Sequence, residues 1–304
     1  VIIVCILTVF CGLLINFITQ PYSRSLTKQK NNLVEKNQYF GTKTLFAANK
    51  ETWILYYASY ANIENDDHWG SWRFRRYEYD RHNHEPPTEY PSIYYPQLGI
   101  YSSHNESIIL SHFQMLKSLN VDALVVPWFG PSHHDIQFQD DVVGFTDSSM
   151  KILMKHAKNY NLKIIPLIPN YEKRNLSIVE SDLRYYFNTY SDDNSSYHTQ
   201  DHKLLAYIYD IHDFDEGADV INGLSSLYHF VASGLTYQHF LDSYDDGAIG
   251  YITYFATERF SWSATAENWP KLSSACIQRN MMFIPTVAPG YNDSQIDRWN
   301  SKQC

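Results

Sequence analysis

The 304-residue chain is 44% hydrophobic and 16% aromatic, which is enough to build one α/β domain of roughly 250 residues around a large core. Its formal charge is −9, from 33 acidic and 24 basic residues, and it has no Lys/Arg-rich run, so nucleic acid is a poor candidate partner. The 25 Tyr and 7 Trp supply rings with polar tips, which suit the C–H faces and hydroxyls of sugars as well as they suit a Tyr-rich core and rim.

Val1 to Ser23 carries no charge before Arg24, and an apolar stretch of about 20 residues can cross a bilayer. The expectation is a helix over Val1 to about Thr19, with residues 1–20 as a transmembrane signal anchor. A cleaved signal peptide or a buried helix is the alternative, but no A-x-A-like cleavage pattern follows. The chain lacks an initiator Met, and the expectation is that residues precede Val1. Residues 21–50 are mostly polar and read as a stem, because Leu33 and Val34 are the only apolar positions in Thr27 to Gln38. Four N-x-[ST] sequons, at Asn105, Asn175, Asn194 and Asn292, argue that the part beyond the stem faces a secretory lumen. Two of them, Asn105 and Asn175, fall at predicted helix entrances. Cys5 and Cys11 lie in the apolar segment, which leaves Cys276 and Cys304 as lumenal thiols and excludes a disulfide scaffold.

From Trp53 the pattern changes to strands alternating with helices. Apolar or aromatic runs occur at Trp53 to Ala61, Ala123 to Trp128, Lys163 to Ile168, Leu204 to Tyr209, Ser225 to Ala232, Ile249 to Phe255 and Met281 to Val287. Between them, Ser103-His-Asn-Glu106 and Ser177-Ile-Val-Glu180 read as capping boxes with Ser at the N-cap. Ile109, Phe113 and Leu116 share one helix face; Leu153, His156, Ala157 and Tyr160 share another. Tyr237 to Asp245 and Ala266 to Asn280 complete the helices, with Pro270 near the start of the second. Repeated strand–helix–strand order implies a parallel sheet. An open doubly wound sheet is the alternative to a (β/α)8 TIM-type barrel, but neither a G-x-G-x-x-G after the first strand nor a P-loop is present. The barrel is therefore expected over residues 51–304, visible through its seventh strand and cut before the eighth.

In such a barrel, chemistry sits where strands run out into loops. Those positions hold Tyr60, Asn62, His68 and Trp69 after the first run, Trp128 after the second, Tyr171 and Glu172 after the third, and Tyr209 and Asp210 after the fourth. Glu258 follows the sixth run, and Tyr291 and Asp293 follow the seventh. Recurring carboxylates and aromatics fit a glycosidase, which must protonate a glycosidic oxygen and stabilise an oxocarbenium-like centre, although any single acid here could equally be a solvated loop residue. His133, His134 and Asp135 resemble a metal cluster only superficially, since adjacent loop side chains rarely converge and no further spaced His/Cys set accompanies them; no metal and no cofactor is expected. G-x-S-x-G and H-E-x-x-H do not occur.

Six stretches taken in order, Tyr56 to Asn62, His68-Trp69, Tyr94 to Ser103, Tyr207 to Asp210, Tyr251 to Ala256 and Phe283 to Tyr291, resemble the glycoprotein endo-α-1,2-mannosidase family. YYPxLGxYSS and FIPxVxPGY are the most specific of them. The resemblance covers about Trp53 to Asn300 and implies a single-pass, type II Golgi membrane enzyme with a lumenal (β/α)8 barrel. It also implies metal-free endo-cleavage of an internal α-1,2-mannosidic bond that releases a glucosylated mannose unit from an N-glycan. The family's paired glutamates lie in an N-E-W-x-E motif at the eighth strand. No such motif occurs here, so the catalytic pair is expected beyond Cys304 and this chain is expected to be inactive on its own. One glutamate is implied to deprotonate the sugar 2-hydroxyl, the other to act as acid and then base. Ser59 stands where the family usually has Trp, and Asp297-Arg298 where it has Arg-Pro. By the same resemblance Trp128 is a sugar platform and Tyr254 a hydroxyl partner near the reacting ring. The expected substrate contacts are Tyr60, His68, Trp69, Trp128, Tyr209, Asp210, Tyr254 and Tyr291, with an N-linked glycan as partner. The rival reading is a non-catalytic glycan-binding or inert relative.

Overall fold

The computed structural model describes residues 3–5, 50–73, 85–90, 92, 94–132, 143–171, 174–211, 214–253 and 261–288. The strands are β1 (Ile3–Cys5), β2 (Thr52–Leu55), β3 (Ala123–Pro127), β4 (Lys163–Ile168), β5 (Leu204–Ile208), β6 (Tyr228–Gly234), β7 (Gly250–Thr253), β8 (Met282–Ile284) and β9 (Thr286–Val287). Every pairing is parallel, in the order β8-β7-β6-β5-β4-β3-β2-β1-β9. Because β8 and β9 are halves of one run broken at Pro285, the two ends of that order meet covalently and the sheet curls back on itself. All seven predicted strands are present, each within a few residues of its apolar run.

The first stave corrects two expectations. Ile3–Cys5 is a strand, not the start of a helix. Ile3, Val4 and Cys5 align with Thr52, Trp53 and Ile54, while Val4 and Cys5 align with Thr286 and Val287 on the other side. A barrel cut before its eighth strand would leave the edges of β2 and β9 open, and β1 pairs both. The physical reason is the row of N–H and C=O groups those edges present, which a β-branched Ile-Val segment can satisfy as a strand. Residues 6–19 of the expected helix and residues 21–49 of the stem lie outside the described residues. Among the described residues no helix is long and apolar enough to cross a membrane.

Alternation along the strands sorts the core into two layers. Trp53, Ala123, Val125, Ile165, Leu167, Leu205, Tyr207, Val231, Ile252, Met282 and Ile284 form a cluster drawn from strands alone, which is the barrel interior. The opposite faces, among them Ile54, Leu124, Val126, Ile164, Ala206, Phe230 and Tyr251, pack against helix residues such as Ile109, Phe113, Leu153, Leu183 and Phe240. The helices are α1 (Ile63–Asp66), α2 (Glu106–Ser118), α3 (Phe145–Ala157), α4 (Leu176–Tyr190), α5 (Gly217–Gly223), α6 (Tyr237–Asp245) and α7 (Trp269–Gln278). Pro270 falls in the first turn of α7, where its missing N–H costs nothing.

Neither serine capping box forms. Helix α2 is capped by Asn105, whose Oδ1 accepts from Ser107 N at 3.0 Å, and α4 by Asn175, whose Oδ1 accepts from Ile178 N at 3.1 Å. An asparagine caps as well as a serine; Asn105 stands two residues nearer α2 than Ser103, and Asn175 starts α4 two residues before Ser177, which falls inside the helix. Ser103 is occupied elsewhere: its N–H donates to Tyr60 O at 2.7 Å and its Oγ accepts from Tyr60 N at 3.1 Å, which ties the loop after β2 to the entrance of α2.

Candidate active site

The strand ends define a mouth at the C-terminal face of the barrel. After β2 the chain makes a loop, a single turn of helix at α1, and a second loop that runs through Trp72. Asn62 caps α1 through Oδ1 to Asn65 N at 2.9 Å, and its Nδ2 donates to Ile100 O at 2.8 Å, so one side chain fixes both the turn and a neighbouring loop. Tyr60 lies in that loop with its ring 4.3 Å from Trp72 and 5.3 Å from Tyr101, and Trp72 Nε1 donates to Tyr101 O at 2.6 Å. Burial pushes the Tyr60 hydroxyl well above the ordinary tyrosine range, so it stays a neutral donor and acceptor.

His68 is half-buried, with Nδ1 2.6 Å from Asp66 O and its ring edge-on to Phe145 at 5.7 Å. Phe145 also stacks on His104 at 3.8 Å, and His104 Nδ1 meets Asp66 Oδ1 at 2.9 Å. Asp66 thus stands next to both histidines, its carbonyl bonded to His68 and its carboxylate close to His104. Trp69 is half-buried beside them.

Tyr209 and Asp210 follow β5, which stands three staves from β2 in the sheet order, across the mouth. Tyr209 packs against the interior cluster, in step with Leu205 and Tyr207, so its ring belongs to the inner face of the mouth. Asp210 adopts a left-handed backbone at φ 46°, uncommon for a residue with a side chain. Arg174 holds this corner. Its guanidinium donates to Pro169 O at 3.2 Å, Tyr209 O at 2.8 Å and Asp210 O at 3.2 Å, and lies 4.7 Å from the Phe214 ring centroid. Lysine at position 174 would keep the charge but lose the planar fork, and we expect a cost of about 2 kcal/mol. Hydrogen exchange at the Tyr209 amide, bonded to Ile168 O at 3.0 Å, should accelerate in Arg174→Lys; unchanged exchange would show that the fork is dispensable.

Trp128 is placed differently from its reading as a sugar platform. Along β3 it shares parity with Leu124 and Val126, so it points outward into the helix layer, and it is fully buried. Its ring lies 5.4 Å from Tyr186, and Nε1 donates to Asp147 Oδ1 at 3.2 Å. Asp147 also accepts from Tyr185 OH at 3.1 Å and pairs with Lys151 Nζ at 2.8 Å. Nearby Asp182 is buried, and burial first, then the Asp147 charge, pushes its carboxyl up to about 7. Gly130, at φ 81°, passes so close that a Cβ there would sit 2.5 Å from Asp182 Oδ2. This acidic cluster braces the loop after β3 from behind; it does not open into the barrel.

The structure thus groups Tyr60, His68 and Trp69 on the loop after β2 and sets Tyr209 and Asp210 across from them, while Trp128 stands in the outer layer. Tyr254, Tyr291, Glu172, Glu258, Asp293 and the His133-His134-Asp135 triplet lie outside the described residues. Reasoning on strand ends missed Arg174, which nothing in the sequence marks. Among the described residues no group of three or more His, Cys, Asp and Glu could hold a metal ion. Cys276 is buried as a free thiol, and burial pushes it up to about 12, so it is packing and not a nucleophile.

Comparison with known proteins agrees with this architecture. Residues 47–304 match glycosyl hydrolase family 99. The chain is 29% identical over 271 residues to the glycoprotein endo-alpha-1,2-mannosidase of Rattus norvegicus, covering 82% of this chain and 58% of the rat protein. It is 28% identical over 270 residues to the human glycoprotein endo-alpha-1,2-mannosidase-like protein, covering 81% and 58%. It thus spans under two thirds of the length of these relatives. Among solved structures it is similar to the GH99 endo-alpha-mannosidase of Bacteroides thetaiotaomicron, with a TM-score of 0.71, 26% identity, and coverage of 83% of this chain and 75% of that one.

Proposed function

Because the chain belongs to glycosyl hydrolase family 99, we propose that its barrel serves an endo-acting glycosidase that cuts an internal α-1,2-mannosidic bond of glucosylated N-glycans. The observation that carries this reading is the family match over 47–304, laid on a barrel whose mouth sets Tyr60, His68 and Trp69 across from Tyr209 and Asp210. Neutral tyrosine hydroxyls and a carboxylate can hydrogen-bond sugar hydroxyls, and the half-buried Trp69 and Tyr209 rings can stack on their C–H faces. Residues that bind do not by themselves break the bond. A glycosidic oxygen must be protonated as it leaves, and the reacting carbon must be attacked, which calls for two further acidic groups. We assign that pair to an N-E-W-x-E segment, which residues 1–304 do not contain.

The test compares the chain as given with the same chain continued through such a segment, on a glucosylated α-1,2-mannoside. Release of a glucosylated mannose unit by the longer form alone is expected, the shorter form being slower by at least about 10²-fold. Turnover by residues 1–304 would relocate the acids inside this chain, Asp210 with Glu258 being the first pair to mutate. An intact α-1,2 linkage with the longer form would overturn the assigned reaction.

We also assign the body of the protein to the lumenal side of the Golgi membrane, held by a single-pass type II anchor. The uncharged stretch Val1 to Ser23 and the four sequons support this. Anchor and stave β1 are alternative uses of Ile3–Cys5, so alkaline carbonate extraction decides between them: chain in the membrane pellet supports the anchor, and chain in the supernatant removes it.

A further inference from the structure

The three described sequons differ in which end of the barrel they occupy. Strands and helices run antiparallel to one another, so helix N-termini stand at the mouth. Asn105 and Asn175 are N-caps and belong to the rim; both are half-buried, with their side-chain oxygens bonded into the first helical turn. At Asn105 even the sequon hydroxyl is folded back, Ser107 Oγ donating to Asn105 Oδ1 at 2.7 Å. Asn194 is different. It is exposed, it lies in the turn between α4 and β5 and in no helix, and its carbonyl accepts from the Nζ of Lys163, the first residue of β4. That puts it at the N-terminal end of the sheet, away from the mouth. Beside it lies a cleft of 310 Å³ lined by Lys158, Asn161, Leu162, Lys163 and Asn194.

We infer that Asn194, in the sequon Asn194-Ser195-Ser196, carries an N-linked glycan whose first N-acetylglucosamine rests in this cleft. The volume is at the small end for a ligand site and suits one sugar ring. The lining suits the oxygens of an acetamido sugar: two lysine ammonium groups and the Asn161 amide offer donors, above a floor that includes the buried Leu162. In the folded chain Ser196 Oγ donates to Tyr190 O at 2.7 Å and Ser195 Oγ to Met154 O at 3.3 Å, so transfer precedes docking of the turn. In that transfer the Asn194 amide nitrogen forms a bond to the anomeric carbon of a polyprenyl-diphosphate-linked oligosaccharide. The carbon–phosphate oxygen bond breaks, the lipid diphosphate leaves, and the amide loses one proton.

The inference rests on the lumenal assignment above, and the experiment separates the two. The full chain is translated with microsomes, treated with protease from outside, and mapped by peptide mass spectrometry with glycan removal in heavy-oxygen water. A protected chain with Asn194 modified, and a mobility shift lost in Asn194→Gln, is the expected result. A protected chain bare at Asn194, whether or not Asn105 or Asn175 is modified, overturns the inference and leaves the lumenal assignment standing; a digested chain overturns both. The cleft has its own readout. Endoglycosidase trimming of the native protein should be about tenfold slower than of the denatured protein, and the double variant Lys158→Ala, Asn161→Ala should abolish that difference. Equal native and denatured rates in the parent would remove the seat.

Discussion

Alanine at Gly130 is expected to destabilise the domain by about 3 kcal/mol, from left-handed strain of about 1–2 kcal/mol and a buried overlap of similar size. The residue sits at φ 81°, and a Cβ would fall 2.5, 2.6 and 2.7 Å from Oδ2, Cγ and Oδ1 of Asp182. The atoms it meets are the end of the Asp182 side chain, which is buried on α4 near the Asp147 charge and so has little room to swing away. Urea unfolding of Gly130→Ala should show the loss as a lower midpoint at unchanged slope. Combining it with Asp182→Gly separates the two causes: relief of the overlap should recover part of the loss, and the strain should remain. A Gly130→Ala protein as stable as the parent would mean that the loop after β3 can leave Asp182 at little cost.

The second large effect is a pair of opposed pH dependences. His112, on α2, is buried with Nδ1 2.9 Å from Tyr56 OH, and burial pulls its imidazole down to about 4. The unfolded chain takes up this proton near 6.5 and the native state only near 4, so the stability His112 allows is full above 6.5 and is lost as pH falls toward 4. Asp182 works the other way. The native state keeps its proton up to about 7 while the unfolded chain releases it near 3.8, so its contribution is full below 3.8 and is lost as pH rises toward 7. Each slope is about 1.4 kcal/mol per pH unit, and over the shared window the two cancel.

Neutral replacements should unmask them. Relative to the parent, His112→Gln should gain stability by roughly 3 kcal/mol as pH is lowered from 6.5 to 4, and Asp182→Asn should gain a similar amount as pH is raised across the same window. Reading each variant as a difference from the parent at each pH removes the contribution of the remaining carboxylates. Parallel curves for parent and both variants would show that these buried groups titrate alike in the folded and unfolded chains.

The sequence carried the strands well and the site unevenly. Continuous apolar runs such as Ala123-Leu-Val-Val-Pro127 and Lys163-Ile-Ile-Pro-Leu-Ile168 can hardly be anything but buried parallel strands, and helix α6 falls on Tyr237–Asp245 as its pattern predicts. Caps were harder, because Asn105 and Ser103 are both good caps two residues apart, and the choice depends on the contact Ser103 makes with Tyr60 across the fold. Trp128, a sugar platform by the resemblance, shares the two-residue period of β3 with Val126 and is buried in the outer layer. Stave β1 could not be foreseen, since an uncharged apolar segment reads alike for a bilayer and for a gap in a sheet.

Arg174 bears on how this mouth tolerates acid. Asp182 and His112, whose titration burial shifts in opposite directions, sit behind the strands. The clamp on the Tyr209–Asp210 corner is a guanidinium, which keeps its proton at any physiological pH, and the Pro169, Tyr209 and Asp210 carbonyls that accept from it do not titrate at all. Acidification can therefore change how firmly the domain holds together through His112 and Asp182, while the guanidinium contacts to these three carbonyls keep their charge state. The hold on that corner and the pH dependence contributed by the two buried groups rest on different side chains.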